Sequence, residues 1–245
     1  MRNYSAESYG DAIASVFDVV NDDPVEVAAI VEFLRNRAGA GPVLEAGIGT
    51  GRIGIPLAGT GVEVFGVEVS REMVNQLRTK PGAEKVTVEV GDMKEIDFGR
   101  KFSLVFLAQG TFGALLSEPA QRAYMRRVPE ILTEDGRLVV ETMEVDDSRF
   151  THDQYVATSL LDVDHVVLSA ALRDPGHQVL SIQNVLLTAH GIQLYPVKFR
   201  YYTAGQLDEM AGDAGLRLLE RYSDWTEADY APGCLRHVSV YGTQD

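Results

Sequence analysis

The chain has 245 residues, 45% of them apolar, a formal net charge of −14 and a single cysteine, Cys234. That length and apolar content can bury a sizeable core, as one large domain or a domain with a modest insertion. The acidic balance, with no dense Lys/Arg cluster, opposes a nucleic-acid partner, and one cysteine excludes an internal disulfide and fits a reducing, cytoplasmic setting. The polar start Met1-Arg2-Asn3-Tyr4-Ser5 is not expected to act as a secretion signal. Residues 175–197 lack Asp, Glu, Lys and Arg, but their His, Gln, Asn, Pro and Gly residues argue against a membrane span.

At the amino end, Ile13, Val16, Phe17 and Val20 recur at helical spacing, which predicts a helix over 8–20. Asn21-Asp22-Asp23-Pro24 then starts a second helix, with an Asp cap, Pro at the first position and a buried stripe of Val27, Ile30, Val31 and Leu34. The apolar run from Val43 enters the loop Glu45-Ala46-Gly47-Ile48-Gly49-Thr50-Gly51-Arg52-Ile53-Gly54, and an apolar-periodic stretch follows, so strand, turn and helix are expected. Glycines let backbone approach a ligand, and the following helix offers unpaired N–H groups. A second strand over 62–69 ends near Glu68, with Ser70 poised to cap a helix, and a third over 86–90 runs into Gly91-Asp92-Met93. Two acids and an apolar neighbour thus meet at one sheet edge, suited to a ribose and an adenine.

The fourth strand, Phe102 to Leu107, is a continuous apolar run suited to the centre of a covered parallel sheet. Its loop, Ala108-Gln109-Gly110-Thr111-Phe112-Gly113, belongs at the ligand crevice, where Phe112 reads as a pocket wall or as packing. Gln109 and Thr111 could hold polar groups there. Ser117-Glu118-Pro119 opens another helix carrying Tyr124, Val128 and Ile131, with Pro129 inside it, and a fifth strand covers 137–142. The alternation of strand and helix predicts a doubly wound α/β sheet. Three strands with short turns follow, over 163–173, 178–188 and 194–202, the pattern of an antiparallel meander. Thr203-Ala204-Gly205-Gln206 is a capping box for the last helix, and strands near 216–222 and 236–241 complete seven.

The motifs taken together resemble those of the class I S-adenosylmethionine-dependent methyltransferases. Glu45 through Gly51 match E-x-G-x-G-x-G, Glu68 matches the acid ending the second strand, and Gly91-Asp92 match the G-D after the third. The resemblance implies a Rossmann-like seven-stranded sheet with helices on both faces, one domain over 1–245. It implies a cofactor site of Glu45, Gly47, Gly49, Gly51, Glu68, Asp92, Met93 and Leu107, in which Glu68 takes the ribose and Asp92 with Met93 frames the adenine. The segment 1–23, with Tyr9 and Phe17-Asp18, resembles the lid of small-molecule methyltransferases; Tyr9 and Phe112 are the residues expected to position the acceptor. The meander, an insertion over 160–202, resembles that of N-methyltransferases acting on amino sugars and could roof the pocket or join subunits into a homo-oligomer.

Methyl transfer is a displacement driven by proximity and orientation, so no catalytic triad is required. A neutral amine attacks unaided, whereas a hydroxyl usually needs a base. His177 and His190 fall in turns, His152 and His165 flank the insertion, and His237 sits on a strand; none pairs with acids at metal-ligand spacing, so no metal is expected. The expected function is methyl transfer from S-adenosylmethionine, leaving S-adenosylhomocysteine, to a small molecule. An amine of an antibiotic precursor or amino sugar is favoured, and a hydroxyl is the alternative. A nicotinamide-dependent oxidoreductase would use Gly49, Gly51 and Gly54 with Glu68 but leaves Gly91-Asp92 unexplained; a non-catalytic cofactor-binding regulator is a further alternative.

Overall fold

A computed structural model describes residues 1–21, 23–95 and 97–243; Asp22, part of the expected helix start, lies outside them. The amino-terminal segment forms two short helices, α1 (Ser8–Ile13) and α2 (Phe17–Val20), rather than the continuous helix expected over 8–20. A six-residue helix has little intrinsic stability, and tertiary contacts decide its end. Turning after Ile13 lets Phe17 join a buried cluster with Ile13, Met73, Val167, Leu186 and Tyr195. The helix α3 (Pro24–Arg37) starts as expected: the Asp23 carboxylate accepts the Glu26 N–H at 2.9 Å. Its buried residues are Ile30, Phe33 and Leu34; Phe33 joins the expected stripe, in which Val31 packs half-buried on the core and Val27 is also half-buried.

The central sheet is assembled from β1 (Val43–Ala46), β2 (Val64–Glu68), β3 (Val86–Val90), β4 (Phe102–Leu107) and β5 (Leu132–Met143), all parallel. The helices α4 (Gly54–Gly59), α5 (Arg71–Arg78) and α6 (Glu118–Ile131) connect them. Ser70 caps α5 through Met73 N–H, and Ser117 caps α6 through Ala120 N–H.

After β5 the chain leaves this sheet for an antiparallel one of four strands: β6 (Gln154–Leu161), β7 (His165–Asp174), β8 (Val179–Thr188) and β9 (Gly191–Arg200). The insertion therefore begins at Gln154, one strand before the boundary expected at 160. As an edge strand half open to solvent, β6 alternates exposed and half-buried residues and carries a weak apolar signal. The chain returns through α7 (Ala204–Asp213), where Thr203 and Gln206 form the expected reciprocal cap. It ends with β10 (Leu216–Tyr222) and β11 (Arg236–Thr243), giving the order β10-β11-β5-β4-β1-β2-β3. The switch between β1 and β4 opens a crevice at the carboxyl ends of these strands.

Candidate functional site

A cavity of about 420 Å³ occupies that crevice. Glu45, Gly47, Gly49, Glu68, Asp92 and Met93 line it from the sheet side, so the loops after β1, β2 and β3 converge as their motifs imply. Gly49 has φ +56°, and a Cβ there would meet no protein atom within 4 Å; the turn needs a left-handed residue, and its open side belongs to a ligand.

The acids differ in how they are held. Glu68 Oε2 accepts the Gly49 N–H at 3.0 Å and Oε1 accepts the Ser70 N–H at 2.8 Å, which locks the carboxylate between the glycine loop and the α5 cap. Burial raises its pKa, and those N–H donors oppose the shift. Asp92 accepts the Lys94 N–H at 2.9 Å and pairs with Lys94 Nζ at 3.0 Å. Glu45 is buried with no well-formed hydrogen bond at Oε2, and burial holds its pKa well above the usual range against the pull of Arg52 and the nearby Gly54 N–H. Arg52 is also on the wall; its Nη1 donates to Asn21 O at 3.2 Å, while Nε and Nη2 have no hydrogen-bond acceptor. One wall thus carries a buried carboxylate oxygen and a buried guanidinium, each with bonding capacity left.

The amino-terminal segment and β9 close the opposite side through Tyr4, Tyr9, Phe17, Val197 and Phe199. The segment is tied on both flanks. Ser70 Oγ donates to Asp11 at 2.6 Å and Thr50 Oγ1 to Asp18 at 2.7 Å, while Gln193 Nε2 donates to Ala12 O and Lys198 N–H to the Tyr4 hydroxyl. Tyr9 lines the cavity, its ring edge-on to Phe17; burial, then Tyr195, Tyr4 and Glu68, raise its pKa, so the phenol stays protonated.

Three residues expected at the site stand elsewhere. Phe112 is buried against Tyr202 (5.2 Å between ring centroids) and Tyr124 (6.1 Å) and is absent from the wall. The tight turn Thr111–Ala114 sends its neighbours Thr111 and Gly113 to the cavity and Phe112 into the core. Leu107 is fully buried in the same core, because the wall begins only beyond the end of β4, at Ala108. Gly51 (φ +75°) also lies off the wall; a Cβ there would press on Ile55 and Leu77 at 2.9–3.0 Å, so its role is to let the loop pack on its helices. Gln109 does line the cavity, in a left-handed conformation (φ +53°), its N–H donating to Glu141 Oε2 at 2.5 Å. Thr111 lines it too, but its hydroxyl is spent on Ala108 O.

The sequence reading missed Arg52, which the glycine loop itself contains, and Tyr202, Phe199, Arg200 and Met143, which have no local signal. Tyr202 stays protonated because burial raises its pKa. The Arg200 guanidinium is consumed by Gln121, Glu118 and Gln178. No histidine lines the cavity among the described residues. His237 is buried on β11, where burial and then Arg221 lower its pKa to about 4.

A methyltransferase-domain family profile matches residues 43–136, the stretch from β1 into β5. The CcbJ methyltransferase from Streptomyces caelestis is 35% identical over 99% of this chain and 100% of that one, with a TM-score of 0.92. CalS10 from Micromonospora echinaspora, an amino pentose methyltransferase involved in calicheamicin biosynthesis, is 20% identical over 94% and 97% of the two chains (TM-score 0.71), which bears on the fold alone. A curated relative from Geobacillus sp. (strain WCH70), named as a methyltransferase, is 34% identical over 107 residues, so the match spans 43% of each chain. With the glycine loop, the two strand-end acids and the cavity they share, the full-length similarity leads to one conclusion: the chain belongs to the S-adenosylmethionine-dependent methyltransferases, and S-adenosylmethionine is its cofactor.

Proposed function

We propose that this protein methylates an amine nitrogen of a small specialised metabolite, an antibiotic precursor or amino sugar. The observation that carries the amine preference is the cavity's shortage of bases. No histidine lines it among the described residues; Tyr9 and Tyr202 hold their protons, Asp92 is tied to Lys94, and the two remaining wall carboxyls, Glu45 and Glu68, are taken by the cofactor in this reading. A neutral amine needs no base, whereas a hydroxyl usually does. KedS8, a sugar N-methyltransferase, and CalS10 share the fold, a precedent for such acceptors on this scaffold.

The residues present fit the cofactor. The Glu45 Oε2 and the Arg52 Nε, neither of them hydrogen-bonded, complement an amino acid's ammonium and carboxylate, and the open face of Gly49 leaves room beside them. S-adenosylmethionine supplies an electrophilic methyl group when bound. In our reading, Glu68 accepts the ribose hydroxyls, Asp92 and Met93 frame the adenine, and Gly47 and Gly49 border the methionine end. The amino-terminal segment excludes water, and Tyr9 orients the acceptor with a protonated hydroxyl. We also infer a cytoplasmic setting, from the single cysteine, and a homo-oligomer through the outer face of the inserted sheet, where Val156, Leu172, Ile192 and Leu194 are exposed. Light scattering that finds only monomer at high concentration removes the latter. Among the described residues no helix is long and apolar enough to cross a membrane.

Calorimetric titration with S-adenosylhomocysteine, with NAD as the control, tests the cofactor. A mass-shift screen of paired amines and alcohols with S-adenosylmethionine then tests the acceptor. Products confined to the alcohols would overturn the amine reading.

A further inference from the structure

Beyond the cavity wall, four charged side chains link its two ends. Glu141 on β5 is buried; its Oε2 accepts the Gln109 N–H at 2.5 Å, and its Oε1 accepts Arg236 Nε at 2.6 Å. The second arm of Arg236 meets Glu26 Oε1 at 2.7 Å, and Glu26 Oε2 lies 3.6 Å from Arg52 Nη2. Arg52 closes the series by donating to Asn21 O, just after α2. Gln109 and Arg52 line the cavity on different loops; Glu141, Arg236 and Glu26 do not line it.

We propose that Glu141, Arg236 and Glu26 are positioning residues, a bridge that sets the Gln109 turn and the Arg52 guanidinium together.

Two features need such a bridge. Gln109 is a non-glycine residue at φ +53°, which costs energy unless its surroundings hold it; the Glu141 carboxylate is the group that holds its N–H. Arg52 keeps two nitrogens without hydrogen-bond acceptors, so its direction is set by Glu26 and Asn21 O rather than by a full set of bonds. Arg236 is suited to the middle because a guanidinium can serve two carboxylates from one rigid plane, which an ammonium does less well. The series also spans α3, β5 and β11 and two catalytic-face loops, so a shift at either end is felt at the other.

The consequence for ligand affinity rests on the cofactor reading above, so the test has one arm with ligand and one without. S-adenosylhomocysteine affinity is measured by calorimetry for Glu141→Gln, Glu26→Gln and the double variant, at a temperature where each is folded. Each single change is expected to weaken binding by about tenfold, and the double change by little more than the stronger single. Arg236→Lys should retain more affinity than Arg236→Met. In the ligand-free arm, Glu26→Gln should speed hydrogen exchange at the Gln109 amide by about tenfold, although Glu26 does not bond to it. Glu227→Gln, which breaks an Arg37 ion pair elsewhere, controls for general loosening and should change neither reading.

Effects that multiply in the double variant, an unchanged Gln109 exchange rate in Glu26→Gln, or equal effects from Glu227→Gln would each overturn the bridge. Wild-type protein that fails to bind S-adenosylhomocysteine would instead refute the cofactor reading, and the exchange arm would still decide the bridge.

Discussion

In the seven-stranded sheet, β1, β2 and β4 bury almost every side chain on both faces, whereas the inserted sheet buries Val167, Ala171 and Leu186 on one face and leaves Leu172, Ile192 and Leu194 exposed on the other. The first sheet is a covered scaffold whose strand ends carry the loops of the site. The second closes the cavity: Phe199 and Val197 reach the wall, and Val167, Leu186 and Tyr195 pack on the amino-terminal helices. The cavity is thus divided by architecture, with its acids and glycine loop on the buried parallel sheet and much of the opposite wall on the half-open antiparallel one. The two sheets should therefore respond to substitution very differently.

The largest contrast is in the core. Phe106→Ala at the fully buried centre of β4 should cost about 3–5 kcal/mol, read as a lower urea midpoint. A loss below about 1 kcal/mol would mean that the scaffold is less tightly packed than its burial indicates. Next comes the loop chemistry. Glu68→Ala should weaken S-adenosylhomocysteine binding by roughly 10- to 100-fold, because a carboxyl acceptor held in place by two N–H groups is lost. Tyr9→Ala, in the amino-terminal segment, should lower turnover more than cofactor affinity; the reverse pattern would move Tyr9 to the cofactor side.

A smaller effect should depend on pH. The fold keeps His237 neutral down to about pH 4, while the unfolded chain takes up its proton near the ordinary value of about 6.5. The unfolded state therefore binds more protons between those values, and stability falls as pH drops from about 6.5 to about 4, by on the order of 2 kcal/mol. In His237→Gln the difference in unfolding free energy between pH 7 and pH 4.5 should shrink; an unchanged difference would assign the acid sensitivity to other groups. The smallest effect belongs to the inserted sheet's outer face, where Leu172 is 62% exposed. Leu172→Ser should alter monomer stability by no more than about 0.5 kcal/mol. A larger loss that grows with protein concentration would support the proposed subunit contact.

The contrast also explains what was legible in the chain. The parallel strands could be read because covered strands are continuous apolar runs, and the helix starts because Asp23, Ser70, Ser117 and Thr203 use short-range caps. Glu45, Glu68 and Asp92 were legible because each stands at a strand end next to a glycine turn or helix cap. The edge strand β6 was missed because its alternation mixes Gln, Thr and Ser with small and apolar residues.

The sequence by itself determined the doubly wound scaffold, the glycine loop, the strand-end acids and the antiparallel insertion, since each depends on periodicity or on neighbours within a few residues. Only the tertiary structure decided that Phe112 and Leu107 face the core, that residues 8–20 break into two helices, and that Tyr202 and Phe199 close the cavity. It also decided that Glu141, Arg236, Glu26 and Arg52 meet. Those outcomes depend on which way a turn rotates a side chain and on contacts between residues as far apart as 26 and 236, and no local pattern encodes either.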